Sequence, residues 1–102
     1  MNKDLAELLS TRLFKALGDP TRAALLCCLA DAGEPATVTE ACGCCAVDFS
    51  VVSRHLATLR DAGVLEAERR GKQVFYRIRA KEVAERLRDL ADALEASLGE
   101  TR

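Results

Sequence analysis

A chain of 102 residues whose apolar half is Leu, Ala and Val rather than aromatic suits a small, mainly helical domain of limited stability by itself. Its net charge of −1 argues against a protein that grips nucleic acid by bulk electrostatics, yet residues 1–49 carry −3, residues 50–79 carry +4 and residues 80–102 carry −2, a basic stripe on an acidic body. The charged N-terminal stretch fits neither a signal peptide nor a membrane span, so a cytoplasmic protein is expected, and its five cysteines, all within Cys27–Cys45, are expected as free or metal-bound thiols rather than a disulfide framework.

Leu5, Leu8, Leu9, Leu13, Ala16 and Leu17 recur at helical spacing and predict one amphipathic helix from about Lys3 to Leu17. Gly18-Asp19-Pro20 ends it and opens a second helix, capped by Asp19 and running to about Asp31, with Ala23, Leu26, Cys28 or Leu29, and Ala30 as its apolar face. A short third helix is predicted over Val38–Cys45, with Thr37 or Thr39 near its cap and Gly43 weakening it. Asp48 caps a fourth helix that buries Val52, Leu56 and Leu59 and stops at Gly63. Residues 64–69 and 73–78 alternate as two strands about an Arg70-Gly71-Lys72 turn. The last helix, Ala80 to about Leu98, repeats Val83, Leu87, Leu90, Leu94 and Leu98, a narrow stripe that needs a partner.

That order, α-α-α-α-β-β-α, is a mainly α winged helix-turn-helix, read as a single domain over residues 1–102 with the helix-turn-helix at 37–62 and the wing at 64–78. The second helix of such a pair enters the major groove. Its expected DNA-facing residues are Ser50, Val51, Ser53, Arg54, His55 and Arg60, joined by Arg69, Arg70 and Lys72 of the wing. Arg and Ser on a helix exterior are ordinary in isolation, and it is the adjacent basic hairpin that turns the balance toward double-stranded DNA.

Three segments, GDPTR at 18–22, SVVSRHLATLRDAGVL at 50–65 and RRGKQVFYRI at 69–78, resemble the ArsR/SmtB family of winged-helix metalloregulators over nearly the whole chain. The resemblance implies a homodimer held by the first and last helices, bound to a pseudo-palindromic operator and repressing a resistance or efflux operon until an inducer arrives. It implies no organic cofactor and no enzymatic role.

Cys42, Cys44 and Cys45 lie just ahead of the reading helix. Thiolates without nearby histidines suit soft ions, with As(III) or Sb(III) first and Hg(II) second, and the strain of gathering three thiolates beside Asp48 is the expected trigger of release. Cysteines also serve as small core residues. Three in four positions are hard to explain as packing; Cys27, the more exposed, and Cys28, which reads first as packing, are the candidate auxiliary ligands. Arsenic-responsive members of the family carry Cys-x-Cys-x-x-Cys, from which Cys42-Gly43-Cys44-Cys45 departs by displacing the third thiol. The family's other site, on the last helix, needs histidine, and residues 80–102 have none. His55 is expected to hydrogen-bond or touch phosphate. Two readings on the same thiols stay open: a redox or sulfur-species sensor, and a structural zinc held by four thiolates. A thioredoxin-type enzyme lacks the alternating strands it would need.

Overall fold

The computed structural model describes residues 5–43 and 47–98. Where the spacing predicts one N-terminal helix there are two, α1 (Leu5–Leu8) and α2 (Thr11–Leu17). Ser10 is the cause. Its backbone is extended and its hydroxyl accepts from the Leu13 amide at 3.2 Å, capping α2 where an uninterrupted helix would have left the hydroxyl competing with the ladder. The break frees α1 to pack along the C-terminal helix.

Asp19 caps α3 (Pro20–Ala32), accepting from the amides of Thr21 and Arg22 at 2.8 and 3.1 Å, with Pro20 in the first turn as predicted. Its buried residues are Leu25 and Leu29: of the expected face Leu29 is buried, Leu26 and Cys28 are half-buried, and Ala23 and Ala30 are exposed. This helix is apolar almost all round, so periodicity alone does not select a face.

Thr37 and Glu40 form a reciprocal capping box that opens α4 (Val38–Cys42). The described helix ends at Cys42 with Gly43 as its C-cap, short of the predicted Cys45, while Cys44 and Cys45 lie outside the described residues. Asp48 occupies the cap position of α5 (Phe49–Asp61), but its side chain makes no capping bond. Val52, Leu56 and Leu59 are completely buried, as predicted. At the other end, Val64 N–H donates to Leu59 O and Gly63 N–H to Arg60 O, with Gly63 at φ 83. These are the two bonds of a Schellman stop, and they explain why the helix ends at this glycine.

Strands β1 (Leu65–Arg70) and β2 (Gln73–Ile78) pair antiparallel in the register Leu65↔Ile78 to Arg70↔Gln73. The loop is Gly71-Lys72, with only Gly71 at positive φ, 64°, the pattern of a type II′ turn. Ala36 and Tyr76 exchange two backbone hydrogen bonds, Ala36 N–H to Tyr76 O at 2.9 Å and Tyr76 N–H to Ala36 O at 2.8 Å. The segment leading into α4 is thereby joined to the wing.

The core gathers Leu13 and Ala16 from α2, Leu25 and Leu29 from α3, Ala41 from α4, the three α5 residues, and Val64, Leu65 and Tyr76. Helix α6 (Ala80–Leu98) largely stands outside it. On its stripe Leu90 is buried and Val83 half-buried, whereas Leu87 and Leu94 are 40% and 46% exposed. The radius of gyration is 15.8 Å and the long axis 53 Å, against about 13 Å for the radius of a compact chain of this length. No helix among the described residues is long and apolar enough to cross a membrane.

Candidate nucleic-acid interface and thiol site

At about 100° per residue, Ser50, Ser53, Arg54, Ala57 and Arg60 share one side of α5. Ser50, Arg54 and Arg60 are exposed, and Ser53 and Ala57 half-buried. Short side chains here let the helix backbone approach a duplex closely, with Arg54 as the long reach. Val51 and His55, both half-buried, fall on the opposite flank and do not join this group.

His55 instead meets Arg22, a residue to which the sequence reading gave no role. Arg22 Nη1 lies 3.1 Å from His55 Nδ1, while its Nε donates to Ala16 O at 2.7 Å and its Nη2 to Lys15 O at 3.0 Å. One guanidinium thus joins the end of α2, the start of α3 and the middle of α5. Because a guanidinium only donates, Nδ1 must accept and the ring proton of the neutral imidazole sits on Nε2. No described side-chain nitrogen is buried without a partner, so Nε2 stays open to water. The 33 residues between Arg22 and His55 put this contact beyond any local spacing rule, and the only sequence signal for it was the GDPTR segment.

The basic segment is more neutralised than its count of charges suggests. Arg60 pairs with Asp61 at 3.0 Å, Arg70 with Glu68 at 3.0 Å, Arg77 with Glu66 at 2.8 Å and Arg79 with Glu82 at 3.7 Å. Arg70 also lies over the Phe75 ring, 4.7 Å from its centroid. Among the described residues Arg54, Arg69 and Lys72 make no ion pair, which leaves them the best-placed cations for phosphate. Arg69 and Arg70, adjacent on β1, point to opposite faces of the hairpin.

Of the thiols, Cys27 is exposed and free, and Cys42 is free, half-buried and packed against the core at the end of α4. Cys28 is disulfide-bonded. This corrects the expectation of free or metal-bound thiols throughout: the compartment governs whether a pair stays oxidised, while the fold governs which sulfurs meet. Cys28 also lines, with Glu40 and Ala41, a hollow of ≈ 260 Å³ between α3 and α4, so it faces the thiol-bearing helix rather than the deep core. Among the described residues no three metal-ligating side chains converge. A three-thiolate site would therefore be built from Cys42 together with residues outside the described set. Thiolate donors fit a soft ion, and Cys42 stands on the last residue of α4.

A helix-turn-helix domain family matches residues 17–68. The arsenical resistance operon repressor of Escherichia coli is 39% identical over 71 residues, 70% of this chain and 60% of that one. An arsenic resistance transcriptional regulator of Pseudomonas putida is 41% identical over 66 residues, 65% of this chain and 51% of that one. The chain thus spans between half and three fifths of the length of these curated relatives. Among solved structures, an ArsR family transcriptional regulator superposes with a TM-score of 0.75 at 28% identity, covering 99% of this chain and 100% of that one. These relatives are regulators rather than enzymes, and with the hairpin, the reading helix and the Schellman stop in place, the chain belongs to the ArsR/SmtB family of winged helix-turn-helix transcription regulators.

Proposed function

We propose that this protein is a homodimeric repressor that binds double-stranded operator DNA through α5 and the β1–β2 wing and, in its fully reduced form, leaves it when a thiophilic ion is captured by Cys42, Cys44 and Cys45. As(III) or Sb(III) is the first choice and Hg(II) the second; the arsenic relatives support that order. The observation that carries the reading is the position of Cys42, a free thiol on the last residue of α4, separated from α5 only by residues 43–48. An ion that gathers thiolates there reshapes the turn that aims the reading helix. A coupling of about 1–3 kcal/mol per site lowers operator affinity severalfold to over a hundredfold.

The test is a DNA-binding titration against a panel of As(III), Sb(III), Hg(II), Cd(II) and Zn(II), with thiolate charge-transfer absorption followed in parallel. Release should track absorption for the first three. Cys42→Ala keeps an apolar side chain against the core and removes a ligand, so it should bind DNA like the parent and ignore the ion. Release of Cys42→Ala and Cys45→Ser at the parent's ion concentration would remove the cluster as the sensor.

One observation favours a second reading, a repressor that senses oxidants or sulfur species: the disulfide at Cys28. Forming it takes two electrons and two protons from a pair of thiols, delivered to a peroxide or a similar acceptor. Loss of DNA on oxidation of the metal-free protein, reversed by a dithiol, would favour this reading over the first.

A further inference from the structure

The most exposed large apolar side chain among the described residues is Phe49, at 57%. It is the first residue of α5. Its spacing to Val52 and Leu56 continues the buried stripe, yet the ring is not buried, because side chains tilt toward the helix N-terminus and at the first position this one projects past the core. On the helix it lies between the buried stripe and Ser53, next to the exposed Ser50 and in the same half of the helix as Arg54.

The dimer-forming helices do not account for it. Arg86 of α6 donates to Ala62 O at 3.2 Å and Arg12 of α2 to Asp61 O at 3.4 Å. Both elements therefore attach to the C-terminal end of α5, about 20 Å from Phe49 at 1.5 Å per residue. The N-terminal residues of a helix in this position are the ones that meet base edges in a major groove. A phenyl ring has neither donor nor acceptor and so cannot read the polar pattern of a base pair. What it recognises there is the one apolar group the groove presents, the 5-methyl of thymine.

We propose that Phe49 is a specificity-determining residue that packs against a thymine methyl in each half-site. The proposal rests on the DNA-binding reading above. Its polar neighbours fix position while Phe49 selects thymine over cytosine, whose edge lacks that methyl.

The experiment uses the full chain and a duplex that the protein itself enriches from a random-sequence pool, resynthesised with deoxyuridine in place of thymidine one position at a time. This removes a methyl and nothing else. For the parent, at least one position per half-site should weaken binding about fourfold, the worth of one buried methyl. Phe49→Ala should bind the thymidine duplex more weakly and show no uridine penalty at that position; Phe49→Leu should keep part of it. Circular dichroism of each variant, unchanged for so exposed a side chain, guards against misfolding. A parent indifferent to uridine everywhere, or a Phe49→Ala variant with the parent's penalty, overturns the role of Phe49 while leaving DNA binding intact. A pool that yields no enriched sequence overturns both.

Discussion

Asp19 and Arg22 show how much a pair of side chains does where α2, α3 and α5 meet. The Asp19 carboxylate is held below its ordinary value of 3.8 by the Arg22 amide first, then by the Thr21 amide and the charge of Arg22, with partial desolvation opposing. A lowered folded pKa means a contribution to stability that is present above the unfolded value and is lost as pH falls through the folded one. The stability difference between the parent and Asp19→Asn, read from urea midpoints, should be constant from about pH 7 to 5 and shrink below about pH 4. A difference that persists unchanged into acid would mean the carboxylate charge contributes nothing. Arg22 is tested by Arg22→Lys, which keeps the charge but loses the fork that reaches Lys15 O, Ala16 O and His55 Nδ1 together. A loss of about 1–3 kcal/mol is expected. Ring nitrogen shifts should report the Nε2–H tautomer of His55 in the parent and a mixture in the variant, and a single unchanged tautomer would show that Arg22 does not set it.

Among the elements, the wing has the most divided surface. Arg70 is engaged by Glu68 and Phe75, whereas Lys72 sits in the turn without an ion pair among the described residues. Lys72→Ala should therefore weaken binding to all duplexes and lower the salt slope by about one, while Arg70→Ala should cost less, because the arginine must first leave its pair. Equal losses would mean that the Glu68 pair opens freely on DNA. The wing and α5 were legible in the sequence because their signals are local: alternation, a glycine turn, an i, i+4, i+7 stripe and a glycine stop. The N-terminal helix was misread as continuous because its leucines keep helical spacing across Ser10, and a cap is recognised only once the backbone is seen to turn. The buried face of α3 was read only in part, Leu29 but not Leu25, because apolar residues surround that helix. Arg22 and Phe49 escaped for different reasons. The first acts across 33 residues, and the second lies on a buried stripe that runs out of core one turn early.

At the scale of the whole molecule, the exposed leucines of α6 and the long axis describe a protomer that is incomplete alone. Leu9 at 45% and Phe14 at 37% extend the apolar surface onto the N-terminal segment. Replacing Leu90 and Leu94 with glutamate should yield monomers in sedimentation and, since each protomer grips only half a site, operator binding weaker by orders of magnitude. Leu94→Glu alone is the cleaner test, because Leu94 is exposed and Leu90 contributes to packing. A Leu94→Glu protein that remains fully dimeric would move the interface elsewhere. The two hydrogen bonds between Ala36 and Tyr76 give such a dimer a fulcrum. The five-residue α4, about 7 Å long, is pinned to β2 at its entry and ends at Cys42, so a tilt driven from the thiol end would move the tip that packs on α5 and leave the pinned end, and the wing, in place. In a repressor of the kind proposed, the inducer then unsettles base register before it loosens the phosphate grip. An inducer acting in this way would cost the protein its address before its hold on the chromosome.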